Sequence, residues 1–528
     1  MNNLQHIEFF AGCGGMALGM DAAGFQLRMA NEVSPMAAET FALNIIGQNL
    51  LENTERVFWI HSDFPKSKMN ARLRENLLDE KVFRFNDVPS VLPEGKTLLI
   101  GDINKLKETL ETNAAIRESL SGVDLISGGP PCQSFSLAGK REKNNYKNRL
   151  PLTFAETCGL LQPKAVLLEN VKGILAPFTE QNEKYYAWIE VAKAFSLQGF
   201  VPLCMLVNSK FFGVPQNRPR FLMMAFREDV FRAIHSQIGN NQSVNSLNFF
   251  NEVQSNRGNL RGLILQEELC CYNLEKEDEL HHFDGVWLPK PILHQNQGWV
   301  SVKDAIGDLR VSEDGLCKSV DGADYVRLLN TLFEDEKPTS ATYLKNHELR
   351  KHSVQVRSRF RFFQLLNRLV TTKKSVLDFI RSESLTTGIE EEIVEEFDNV
   401  RLEKVLFPDG SISILNEPSD WVKYLSEISL SKKHSQKALV SNQPAPAQLT
   451  IPDDLCHFES AQPRVLTVRE MARIQSFPDW YEFKSKVTTG GKNRRFEVPQ
   501  YTQVGNAVPP LLAYRIGKHL RQLLESIE

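Results

Sequence analysis

Over residues 1–227, short apolar runs alternate with stretches of helical periodicity: HIEFFAGCGG, then TLLIGDI, VDLISGGPP, AVLLENV and RPRFLMMAF, each run closed by a turn. Such alternation predicts an α/β domain around a largely parallel sheet, with any site at the strand ends. From residue 228 to 462 the texture changes. Strands are poorly signalled, a basic stretch YLKNHELRKHSVQVRSRFRFFQLLNRLVTTKK occupies the middle, and the acidic run GIEEEIVEEFDNVRLE follows. This reads as a separate, smaller domain ending in a polar linker, SKKHSQKALVSNQPAPAQLTIPDD. Residues 463–528 return to a globular pattern. Leu512, Ile516, Leu520, Leu523 and Ile527 fall at helical spacing, which predicts a C-terminal helix docked on the first domain and makes the middle domain an insertion.

With 528 residues, 42% of them hydrophobic, the chain has material for two domains, and its net charge of −3 speaks neither for nor against nucleic acid. The start MNNLQHIEFF lacks the features of a secretion signal, and no apolar run approaches the ~18 residues of a membrane span, so a cytoplasmic protein is expected. Eight cysteines are scattered without CxxC pairs or Cys/His ligand spacing, which predicts free thiols, no metal and no disulfide framework.

Between the first strand and the first helix lies Ala11-Gly12-Cys13-Gly14-Gly15, a turn whose bare backbone lets a ligand approach closely. Glu32, at the end of the next apolar stretch, can accept hydrogen bonds from ribose hydroxyls, and Asp102, after TLLI, can take an adenine amino group. These residues outline a nucleoside pocket, and the same spacing suits a dinucleotide fold. The loop Ser127-Gly128-Gly129-Pro130-Pro131-Cys132-Gln133-Ser134 thrusts Cys132 out at a strand end. That setting suits a nucleophile, whereas the other cysteines read as small core residues. Glu169 after AVLL and the group Gln216, Arg218 and Arg220 before FLMMAF bring an acid and guanidinium groups to strand ends, where they can bind the edge of a pyrimidine.

In this order the motifs resemble those of bacterial DNA (cytosine-5)-methyltransferases. FFAGCGGMALGM looks like the methyl-donor loop, GGPPCQSFS the nucleophile motif, ENV the acid motif, QNRPR the arginine motif, and LTVREMARIQSFPD with QVGNAVPP the closing motifs. The resemblance spans roughly residues 6–227 and 463–524. It implies a Rossmann-like S-adenosylmethionine-dependent domain carrying a smaller inserted target-recognition domain. Phe10, Gly12, Gly14, Glu32, Asp102, Pro130 and Asn506 would then line the cofactor site. Cys132, Glu169, Arg218 and Arg220 would form the catalytic group, with Gln216 and Ser134 at the base. The implied substrate is a cytosine flipped from double-stranded DNA, and the implied biology is a monomer protecting DNA from a cognate restriction endonuclease. A branch that modifies transfer RNA carries a Cys-Phe-Thr tripeptide, which is absent here. A silent DNA-binding protein would have lost Cys132 or Glu169. The interval from Pro35 to Gly101 is longer than the simplest members need.

Nine cations between positions 341 and 375 (Lys345, Arg350, Lys351, Arg357, Arg359, Arg361, Arg368, Lys373 and Lys374) face a single acid, Glu348, and predict a phosphate-binding stripe. Lys484, Lys486, Lys492, Arg494 and Arg495 form a second basic patch around Gly490-Gly491.

Overall fold

The computed structural model describes residues 4–78, 85–131, 149–180, 183–258, 269–293, 298–309, 324–334, 344–382, 387–431, 436–448, 450, 454–491, 493 and 496–527. Its centre is a nine-stranded sheet. In chain order the strands are β1 (Leu4–Phe9), β2 (Phe25–Glu32), β3 (Val57–Trp59), β4 (Thr97–Ile100), β5 (Leu125–Gly128), β6 (Ala165–Val171), β7 (Phe200–Asn208), β8 (Pro219–Arg227) and β9 (Cys271–Asn273). Their spatial order is β9-β7-β8-β6-β5-β1-β2-β4-β3. From β3 to β6 all neighbours are parallel, while β8 runs antiparallel to both β6 and β7. All five strands anticipated from apolar runs are present. The chain winds outward from β1 through β2, then returns to build β5 and β6 on the other side. That reversal opens a crevice at the carboxyl ends of β1 and β5, where ligands of open α/β sheets bind.

The C-terminal helix, Pro510–Glu525, buries Leu512, Ile516, Leu520 and Leu523 and lies against the first helix, Gly15–Ala22. Small residues permit the approach: a methyl group on Gly19 would meet the Pro510 carbonyl oxygen at 2.4 Å, and one on Gly517 would meet Ala23 at 2.8 Å. The closing segment is thus part of the first core, as expected. No helix among the described residues is long and apolar enough to cross a membrane.

The expected change of texture at 227/228 does not coincide with a change of core. Phe231, Ile234, Trp287, Val302, Ile306 and Leu329 are buried in one cluster with sheet residues such as Leu203 and Phe226. β9 itself joins the sheet edge. A separate core begins only with the helix Val354–Leu366, where Phe360, Phe362, Phe363, Val405, Trp421, Tyr424 and Leu425 pack together. Each such aromatic or aliphatic side chain contributes about 1.5–3 kcal/mol when fully buried.

This packing also breaks the predicted basic stripe. Two arginines of the helix serve the fold: Arg361 pairs with Glu403 at 2.5 Å and donates to the Lys404 carbonyl, and Arg359 donates to the Ser429 carbonyl, while exposed Arg368, just past the helix, reaches Glu403 at 2.8 Å. Lys345, Lys351, Arg357 and Lys374 remain exposed. The supposed linker is anchored as well. Lys437–Ala438 pair with Leu455–Cys456, Ala445–Pro446 pair with Gln216–Asn217, and Leu439 and Ala445 are buried. The long interval after Pro35 contributes edge strand β3 and buried Arg72, which pairs with Asp87 beneath the Trp59 ring.

Candidate active site

The glycine turn is built by strand pairing and by close contact with the end of the chain. Ala11 N–H donates to the Asn31 carbonyl across β1 and β2, and Gly12 N–H donates to Glu32 Oε2 at 2.7 Å. Phe10 adopts a left-handed φ of 55°, a conformation costly for a bulky residue and kept where the surroundings impose it. Two positions demand glycine. Gly14 has φ 96°, and its missing Cβ would lie 2.7 Å from the Tyr481 hydroxyl, which donates to the Cys13 carbonyl. A Cβ on Gly15 would lie 2.3 Å from the Val508 carbonyl oxygen.

Glu32 also accepts from Ser34 N–H at 2.7 Å. Burial raises its pKa, and the N–H groups of Ser34 and Gly12 oppose that rise. Glu8, on β1, is 2% exposed, and its Oε2 has no hydrogen-bond partner. Desolvation, then the nearby charges of Asp21 and Glu32, push its carboxyl well above the usual carboxylate range.

On the other side of the crevice, β5 ends at Gly128 and the chain continues through Gly129, Pro130 and Pro131. Asn170 Nδ2 donates to the Pro130 carbonyl at 3.1 Å, tying this loop to β6. Gly129 passes so close to Glu169 that a Cβ there would lie 3.1 Å from Oε2. The antiparallel register sets Leu222 opposite Glu169 and Arg220 opposite Val171, so Arg220 approaches Glu169 diagonally. Its Nε lies 2.7 Å from Glu169 Oε1, an ion pair in which the N–H is not aimed along the line to that oxygen. Both side chains are nearly buried, so neither charge has water as a ready substitute partner.

These two halves enclose one cavity of about 380 Å³, within the size range of small-molecule sites. Of the anticipated cofactor residues, Phe10, Gly12, Glu32, Pro130 and Asn506 line it, and of the anticipated catalytic residues Glu169, Arg218 and Arg220 do. Cys132 and Ser134 lie outside the described residues. Pro131, the residue before Cys132, lines the cavity.

Three anticipated residues stand elsewhere. Gly14 faces the Tyr481 packing contact rather than the cavity. Asp102 caps the helix Ile103–Thr112, accepting from Asn104 N–H at 2.7 Å, and is not in the cavity wall. Gln216 is fully buried behind Arg218, with its Nε2 donating to Gln475 Oε1 at 2.7 Å. Arg218 does reach the wall, but its guanidinium is occupied with the carbonyls of Gly505 and Ala507 at 3.0 and 3.2 Å. Those bonds tie it to the closing segment.

Sequence reasoning missed Glu8 and Gln503, which also line the cavity. A charged residue inside an otherwise apolar strand, next to a glycine turn, is the signal that could have found Glu8. Gln503 is a hub: it accepts from Thr40 Oγ1 at 2.6 Å, donates to Val498 O at 3.0 Å, and its backbone carbonyl faces Cys13 Sγ at 3.5 Å.

Comparison with known proteins agrees with this geometry. Residues 4–69 and 94–522 match the family described as C-5 cytosine-specific DNA methylase. The type II methyltransferase M.DdeI of Desulfomicrobium norvegicum is 25% identical over 534 residues, covering 99% of this chain and 89% of that protein. The type II methyltransferase M.XorII of Xanthomonas oryzae pv. oryzae is 24% identical over 521 residues, covering 98% and 84%. DNA (cytosine-5)-methyltransferase 3 of Arabidopsis thaliana is 25% identical over 531 residues, covering 99% of this chain and 31% of the plant protein. With a family match running almost from end to end of the chain, this protein belongs to the C-5 cytosine-specific DNA methylases.

Proposed function

We propose that this DNA cytosine-5 methyltransferase extrudes a cytosine from a specific duplex site, bonds to it through Cys132, and methylates carbon 5 using S-adenosylmethionine. The observation that carries this reading is a single cavity wall containing the glycine turn, the Glu169–Arg220 pair and the loop leading into Cys132. The residues present suit the cofactor. The Phe10 ring offers a surface for adenine, Glu32 offers carboxylate oxygens to ribose hydroxyls, and the orphaned Glu8 Oε2 welcomes a positive charge in a buried wall. When bound, the cofactor supplies an electrophilic sulfonium methyl group.

The chain's own residues then have these tasks. The Cys132 thiolate adds to carbon 6 while a proton shared with Glu169 sits at ring nitrogen 3, leaving carbon 5 electron-rich enough to take the methyl group. Loss of the carbon 5 proton and departure of the thiolate restore the ring. Arg220 keeps Glu169 facing the base, and Arg218 fixes residues 505–507 as the common wall of both subsites. Extrusion costs a few kcal/mol of stacking and pairing. Phosphate contacts from exposed Lys345, Lys351, Arg357 and Lys374 offset it, and the module around the second core reads the target sequence. The biology we propose is a cytoplasmic monomer protecting DNA from a cognate restriction endonuclease.

The test is transfer of labelled methyl from S-adenosylmethionine to duplex DNA in competition with transfer RNA. Label on carbon 5 of cytosine in DNA is the expected result. Label in RNA, or none, would end the proposal.

A further inference from the structure

Of four buried glutamines near Arg218 and the closing segment, Gln503 lines the cavity and Gln216, Gln475 and Gln448 lie behind its wall; three of the four are fully engaged. Gln216 joins its Nε2 to Gln475 Oε1 and accepts at Oε1 from Arg218; Gln475 donates to the Ala507 carbonyl; Gln503 is held by Thr40 and Val498. The fourth, Gln448, is 4% exposed, and neither its Nε2 nor its Oε1 has a partner. An unmade hydrogen bond at a buried polar atom costs roughly 1–3 kcal/mol, and this side chain carries donor and acceptor together. Such a group calls for something beyond the protein's own atoms to complete it, an ordered water or a ligand.

Its position says what that something is. The strand returning from the second core pairs Ala445 and Pro446 with Gln216 and Asn217, and Gln448 N–H donates to Gln216 Oε1 at 3.3 Å, the same oxygen that takes Arg218. Two residues later the Thr450 carbonyl accepts from Thr502, on the helix Gln500–Asn506 that supplies Gly505 and Asn506 to the cavity wall. Gln448 therefore lies in the seam where the inserted module meets Gln216 and the closing segment, behind the Arg218 side of the cavity wall. On the methyltransferase reading, a DNA strand whose cytosine enters that cavity brings base edges and phosphodiester oxygens towards this seam. A carboxamide presents one donor and one acceptor side by side to such groups.

We infer that Gln448 is a substrate-contacting residue, its carboxamide hydrogen-bonding the nucleotide that carries the target cytosine. This rests on the methyltransferase reading above. It predicts an unusual pair of effects for one substitution. Q448M keeps the shape and removes the unpaired amide, so the free protein should be as stable as the wild type or more so in urea unfolding. At the same time KM for duplex DNA should rise roughly tenfold, as loss of one such bond implies, with KM for S-adenosylmethionine unchanged. Q448E, which replaces the donor by a negative charge, should weaken DNA binding further.

A Q448M protein with KM for DNA within twofold of wild type overturns the inference, whether its stability is lower, through loss of an ordered water site, or unchanged. Failure of Q448M to fold overturns it as well, because an idle amide cannot be essential to the fold. The wild type in the same assay separates the two levels: no methylation of cytosine by the wild type sinks the function itself, while normal turnover by both proteins sinks only the role of Gln448.

Discussion

Substitution of Gly15 by alanine probes whether the closing segment is truly a wall of the cofactor site. The added Cβ would sit 2.3 Å from the Val508 carbonyl oxygen and 3.2 Å from the Phe477 ring, where ordinary contact begins at 3.4 Å. The backbone of residues 505–508, not a flexible side chain, must therefore retreat by about 1 Å, and overpacking of this kind costs ~1–3 kcal/mol. Because Gly505, Asn506 and Val508 line the cavity, that strain should appear as weaker cofactor binding by roughly five- to a hundredfold. G19A is the matched control. Its Cβ would meet the Pro510 carbonyl at 2.4 Å, a comparable clash, but on the helix contact away from the cavity. Calorimetric titration with S-adenosylhomocysteine, beside urea unfolding of both variants, reads the two effects separately. G19A should lose stability with little change in affinity, and G15A should lose affinity. A G15A protein that binds within twofold of wild type would refute the reasoning.

Other consequences follow from the same contacts. E169Q should lower single-turnover methyl transfer by about 10²–10⁴-fold, the range for a positioned acid, with duplex binding retained; a drop under threefold would remove Glu169 from the chemistry. In the inserted module, R361M removes a buried guanidinium that bonds Glu403 and the Lys404 carbonyl, and should destabilise by roughly 1–3 kcal/mol in urea unfolding while Arg368 still pairs with Glu403, whereas K351A should leave stability alone and reduce the salt slope of DNA binding by about one. The reverse assignment would restore the uniform phosphate stripe. Burial holds His457 down to about 4, and an unfolded imidazole titrates near ~6.5, so between these values the unfolded chain binds more protons. The contribution of His457 is complete above pH ~6.5 and is lost as pH falls towards 4. Unfolding midpoints compared at pH 5 and 7.5 should differ less in H457Q than in the wild type, and equal differences would show that His457 is not responsible.

Much of the catalytic half was legible because its strands are uninterrupted apolar runs that end in glycine or proline turns. Chain order alone places Gly12, Glu32, Pro130 and Glu169 at the same sheet edge. What stayed hidden depends on partners distant in sequence. Arg218 and Arg220 look equivalent in QNRPR, yet one meets Glu169 and the other meets carbonyls nearly 290 positions later. Likewise Gly14 and Gly15 look alike in the turn until Tyr481 and Val508 pack against them. The helix Glu228–Ile238 shows a buried stripe of Val230, Phe231 and Ile234, but periodicity says only that a core exists, not which one. Edge strands of three residues, β3 and β9, are too short to leave any pattern. The basic run over Val354–Leu366 misled for a related reason, since a charge count carries no information about which guanidinium groups, such as that of Arg361, are spent inside.

The covalent step is open to direct observation. DNA containing 5-fluorocytosine in place of cytosine lacks the carbon 5 proton whose removal would release the enzyme. Incubation with this DNA and S-adenosylmethionine should give a complex that survives denaturation, with the modified peptide mapping to Cys132 and nothing trapped by C132S. Turnover on ordinary DNA without any trapped complex on the fluorinated substrate, or an adduct at another residue, would contradict the account.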